Sequence, residues 1–91
     1  MAEPVEVDCG KQLEIVNVEQ LFHSLEEVLQ QGAPVSLKVD QVERADTASL
    51  QLLVAFRKSL LSQGLDVQLT NPTDSFKHAA RLLGLNRSLG L

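Results

Sequence analysis

The stretch VSLKVDQVERADTASLQLLVAFRKSLLSQG, residues 35–64, decides the architecture of this chain. Val35, Leu37 and Val39 alternate with Ser36 and Lys38, the two-residue period of a half-buried strand. From Asp46 the period lengthens. Asp46 and Thr47 both suit a helix N-cap, and the apolar run that follows places Leu50, Leu53, Val54, Leu60 and Leu61 along one helical stripe. Gly64 stops the helix after Gln63. A strand followed by a helix of more than ten residues is half of a crossover unit, and crossover units build parallel sheets.

The same alternation continues on both sides. Upstream, Val5 and Val7 alternate with Glu6 and Asp8, and Leu13-Glu14-Ile15 resumes the pattern after Gly10. Asn17, with Gln20 three residues on, forms a capping box for a helix whose apolar face is Val18, Leu21, Phe22, Leu25, Val28 and Leu29; Gly32 and Pro34 end it. Downstream, Leu65, Val67 and Leu69 make another strand, and Asn71-Pro72-Thr73-Asp74 is turn and cap chemistry. Phe76, Ala79, Ala80 and Leu83 then recur at helical spacing up to Gly84, and residues 86–91 are too short to assign. The reading predicts the order β-β-α-β-α-β-α: an α/β fold with a mainly parallel sheet and helices mostly on one face. Its core is expected to rest on Leu25, Leu37, Leu53 and Leu69.

Ninety-one residues suit one domain, spanning 1–91, with a small core. Trp and Tyr are absent and Phe occurs three times, too little aromatic surface to stack nucleic-acid bases. The net charge of −4 points the same way and disfavours anionic membrane. That charge is unevenly spread: residues 1–46 hold ten acids and three bases, whereas residues 47–91 hold two acids and five bases. The pattern reads as a solvated surface or as a bipolar molecule whose second half meets an acidic partner. Cys9 is alone, so no internal disulfide forms, which fits a cytoplasmic setting. The acidic N-terminus does not resemble a signal peptide, and no apolar run approaches the ~20 residues of a membrane span. A soluble protein is expected.

The residues do not suggest an enzyme. His23 and His78 lie within helices, and with one cysteine neither has an evident metal-ligand set. No glycine-rich phosphate loop follows a strand. Glu26 and Glu27 are neighbours on a helix and point about 100° apart, so they are solvated rather than an acid–base pair. No cofactor or metal is expected.

The distinctive feature is the start of the second helix, where Asp46, Thr47 and Ser49 crowd short polar groups. Leu52 and Phe56, four apart beside the core stripe, are candidates for partial exposure. Two readings stand: a wide core face next to an ordinary cap, or an apolar contact patch next to a switchable helix terminus. In the second, Thr47 and Ser49 are candidate phosphorylation sites, because a helix N-terminus tolerates added negative charge.

The succession Val35–Val39, Asp46-Thr-Ala-Ser-Leu50, a helix ending at Gly64, a strand, and the closing Arg81-Leu-Leu-Gly84-Leu resembles the STAS family over nearly the whole chain. That family's signature is an Asp-Ser/Thr-x-Gly-Leu segment opening a helix. The resemblance implies a small fold of four to five mainly parallel strands in a sheet backed by helices, and work by protein–protein contact as a signalling module. In anti-sigma-factor antagonists a kinase-like anti-sigma factor phosphorylates the serine two residues after the Asp. Ala48 holds that position here, and Ser49 replaces the motif's glycine, while Thr47 remains as an acceptor. Two groups resemble the chain most: stand-alone proteins associated with bacterial chemotaxis kinases, and the cytoplasmic subunit of a phospholipid-transporting ABC complex, in which an Asp-Thr pair matching Asp46-Thr47 sits against the ATPase. The expected partner is therefore a kinase-like protein or an ATPase subunit, with contact through Asp46, Thr47 and Ser49, extended by Leu52 and Phe56. The oligomeric state is left open.

Overall fold

A computed structural model describes residues 4–14 and 18–91. The elements are β1 (Val5–Asp8), β2 (Gln12–Leu13), α1 (Val18–Gln31), β3 (Val35–Lys38), β4 (Arg44–Ala45), α2 (Thr47–Ser62), β5 (Val67–Thr70) and α3 (Asp74–Leu82). The predicted order therefore holds, with one addition. Arg44–Ala45 is a two-residue strand that no alternation announces. Ile15 and the expected cap Asn17 lie outside the described residues.

Every described strand pairing is parallel. β1, β3 and β5 form a three-stranded sheet with β3 in the centre, and β2 pairs with β4 in a separate two-stranded ladder. The single expected sheet of four to five strands is thus divided, three strands in one and two in the other. The division follows from the chain between Lys38 and Asp46. It leaves the main sheet after Val39 and returns only as far as β2, where Gln12 registers with Arg44 and Leu13 with Ala45.

Register assigns each side chain to a face. Val5, Val35 and Val67 lie across from one another, as do Val7, Leu37 and Leu69. This apolar face belongs to the core, and α1 and α2 cover it side by side, α1 toward β1 and α2 toward β5. The opposite face carries Glu6, Ser36 and Gln68 in one row and Asp8, Lys38 and Thr70 in the next. Glu6, Asp8 and Gln68 are exposed there, and the Ser36 and Thr70 hydroxyls hydrogen-bond at 2.7 Å. Parallel sheets are normally covered on both faces. Here the polar alternation in all three strands leaves one face to water, as expected of helices gathered on one side.

Leu25, Leu37 and Leu53 are buried as expected, whereas Leu69 is only half-buried because β5 is an edge strand. Phe76 of α3 is wholly enclosed, and Leu89, in the stretch left unassigned, is nearly so. That stretch is tied down by the Arg57 guanidinium, whose Nη1 donates to the Ser88 carbonyl at 3.2 Å. Cys9 is more deeply buried than a half-exposed strand end. Loss of solvent, reinforced by the charge of Asp8, pushes its thiol up to about 12, so it is an unreactive core residue. Among the described residues, no helix is long and apolar enough to cross a membrane.

Candidate functional site

The N-terminus of α2 is held from three directions. β2 anchors it from below: the Lys11 carbonyl accepts from the amides of Glu43 (2.7 Å) and Arg44 (3.2 Å), and the Leu13 carbonyl accepts from the Asp46 amide at 2.9 Å. α3 anchors the approach to it. The Thr73 hydroxyl donates to the Val42 carbonyl at 2.6 Å, while the same oxygen caps α3 by accepting from the Phe76 amide at 3.0 Å. Val42 itself is buried. The third hold is the cap. Asp46 is extended (φ −92°, ψ 168°) and its Oδ1 accepts from the Ser49 amide at 2.9 Å, satisfying one of the donors that a helix start leaves unpaired.

This framework sorts the motif into presented and hidden residues. Thr47 and Ala48 are exposed, and Asp46 is half-buried. Ser49 is not on the surface at all: its exposure is 0%, and its hydroxyl has no hydrogen-bond partner among the described residues. The expectation that Ser49 flanks a contact or accepts a phosphoryl group is therefore corrected. The cap fixes the phase of the first turn, and that phase turns the third helical residue inward.

The same phase corrects the rest of the helix. The residues that α2 buries are Ser49, Leu50, Leu53, Phe56 and Leu60. Phe56, expected at the edge, is 5% exposed, whereas Leu61, expected in the core, is 43% exposed. Val54 is half-buried against the core and Leu52 is half-buried beside α1. The apolar residues of α2 go most of the way round the helix, so spacing alone did not fix which of them face inward. Among the described side chains of α1, Leu21, Leu25 and Val28 are buried, while Phe22, expected with them, is 44% exposed and packs edge-on against His23 with ring centres 6.4 Å apart.

What α2 presents at this end is an exposed, capped first turn. α2 has no acidic residue in its first turn, so the exposed Thr47 stands where the helix dipole is positive. Among the described residues, no group of three or more His, Cys, Asp or Glu is placed to hold a metal ion. Ala48 is the residue that sequence reasoning passed over as a surface element. Its position beside Thr47 in the first turn was the available signal.

Comparison with known proteins agrees with this fold. No curated protein matches the chain. The model of a family described as "Mlab, STAS domain" matches residues 3–91, which takes in all three helices, both sheets and the Asp46-Thr47 edge. The chain therefore belongs to the STAS domain family.

Proposed function

We propose that this chain is a non-catalytic, protein-binding module of the anti-sigma-factor-antagonist-like kind, and that the α2 N-terminus, centred on Thr47, is its contact surface. The observation that carries the reading is the placement of Thr47 and Ala48: both are exposed on a first turn that a cap, a strand ladder and α3 hold rigid. A preorganised edge of this kind loses little freedom on binding, which favours affinity. The partner is a cytoplasmic kinase-like signalling protein that reads the hydroxyl of Thr47.

A second reading is supported by one further observation. Ala48 replaces the usual acceptor and Ser49 is buried, so Thr47 carries the one exposed hydroxyl of the first turn. With so little for a kinase to modify, the edge also suits permanent docking, as a subunit against the ATPase of a phospholipid-transporting complex. One experiment separates the two. The full chain is immobilised, its partner is captured from the native cell, and the complex is incubated with ATP and magnesium. Phosphate on Thr47 with release of the partner supports the switch; an unmodified, stable complex with an ATPase supports the subunit. Failure of the Thr47→Glu chain to discriminate, capturing as wild type does, overturns both.

A further inference from the structure

α1 and α2 each connect parallel strands, so they run in the same direction and bring their N-termini to the same end of the molecule. Between them Phe22, Leu25, Leu29, Leu52, Ala55 and Phe56 line a cleft of about 150 Å³, with Glu26 and Ser59 at its rim. An apolar hollow of this volume takes an aromatic ring or a branched aliphatic side chain. Phe22, in the first turns of α1, and Leu52, little more than one turn beyond Thr47, lie toward the end of the cleft nearest the proposed contact edge.

The rim is charged on one side only. On α1, Glu19 and Glu26 are seven residues apart and so lie on one helix face, and α1 contains three glutamates but no lysine or arginine. On α2, Ala48, Leu52, Ala55 and Ser59 fall on the face toward the cleft, and none is charged. The backbone groups within both walls are paired along their helices, so an inserted strand would find no ladder to join. A helix satisfies its own backbone and can lay an apolar stripe into such a groove. A bilayer is disfavoured as occupant, because anionic headgroups would meet Glu19 and Glu26.

We infer that the α1–α2 cleft receives the apolar face of a helix from the same protein partner that docks at Thr47, with lysine or arginine side chains of that helix meeting Glu19 and Glu26. The inference rests on the reading of Thr47 as the contact edge, of which the cleft is the continuation. It gives the partner a stated chemistry, an amphipathic basic helix with one large anchor side chain.

The probes are two synthetic 18-residue amphipathic helices with the same leucine face, one with lysine and the other with glutamate on the polar face, titrated into the isotope-labelled full chain. The lysine peptide is expected to shift the amide signals of Phe22, Leu29, Leu52, Ala55 and Ser59, and the glutamate peptide to leave them in place. Ala55→Arg, at an exposed helix position that tolerates the change, should weaken the lysine peptide about tenfold or more, because the long side chain occupies the cleft and its charge competes with and repels the peptide's lysines. Glu26→Gln should weaken it about two- to fivefold, the effect of one exposed ion pair. Phe22→Ser gives a second, independent lesion of the cleft. Equal binding of both peptides, shifts that map elsewhere, or no binding of either overturns the inference. So does a concentration-dependent dimer that Ala55→Arg dissociates, since the occupant would then be a second copy. With the captured partner the two claims separate: if Thr47→Glu abolishes capture and Ala55→Arg does not, the contact edge stands and the cleft falls. The opposite pattern moves the contact from Thr47 to the cleft.

Discussion

The Ser49 hydroxyl lies in the protein interior, at the third position of α2, and has no hydrogen-bond partner among the described residues. A buried hydroxyl in that condition carries the penalty for losing water without compensation, about 1–3 kcal/mol. Ser49→Ala removes the oxygen, keeps the β-carbon that packs there and retains the backbone amide that donates to Asp46 at 2.9 Å. Alanine also has the higher helix propensity, by up to about 0.7 kcal/mol. The substitution is therefore expected to stabilise the chain by about 1–3 kcal/mol. In a domain of this size that is a rise in Tm of at least roughly 4 °C. Ser49→Gly removes the same oxygen but adds the backbone-entropy cost of glycine, roughly 1 kcal/mol relative to alanine, so it should fall below the alanine variant. Urea melts followed by circular dichroism measure this, since a chain without Trp or Tyr offers little to fluorescence. A fall in stability for Ser49→Ala would refute the reasoning, because it would mean that the hydroxyl is satisfied by a buried water or by a backbone carbonyl of the turn before it.

Three further outcomes follow from the packing. Leu53→Ala, at a position with no exposed surface, should cost about 2–5 kcal/mol in the same melts; a loss below about 1 kcal/mol would place Leu53 outside the core. Thr73→Ala removes the α3 cap and the bond to Val42 together and should cost about 1–2 kcal/mol, read as a lower urea midpoint with an unchanged slope. The Cys9 thiol, pushed up to about 12, stays protonated in the folded chain while the unfolded chain begins to ionise near pH 9. The unfolded state then binds fewer protons, so this stabilising contribution is complete below pH 9 and is lost as the pH climbs toward 12. Wild type should lose stability more steeply than Cys9→Ala over that window, and parallel pH profiles would contradict the burial of the thiol.

The elements that sequence reading placed well are those whose apolar period is set by one neighbour. β3 alternates cleanly because one face meets the helices and the other meets water. α3 shows Phe76 and Ala80 inward because a single stripe suffices. What escaped depended on tertiary position. Arg44–Ala45 becomes a strand because Lys11–Leu13 happens to lie alongside it, and two residues carry no period of their own. In α2, Leu and Val residues surround most of the helix, so its phase is fixed by the Asp46 cap and by α1. That is why Phe56 and Leu61 exchange the places expected of them. Ser49 illustrates the same limit at the site. Its identity suggested a surface hydroxyl, whereas its position in the first turn decides that it is buried. Asp46 was legible as the helix cap because a cap is a local feature, and the fold leaves Thr47 exposed beside it.

The central claim, that Thr47 is the middle of a protein contact, is tested most directly by titrating the captured partner into the wild-type and Thr47→Glu chains while following the folding of each. A glutamate at the first position of α2 meets the positive end of the helix dipole, so the variant should stay folded with stability within about 1 kcal/mol of wild type. Its affinity should fall by at least about thirtyfold, the cost of about 2 kcal/mol or more for burying an unmatched charge in an interface. A folded Thr47→Glu chain that binds its partner as tightly as wild type would contradict the account.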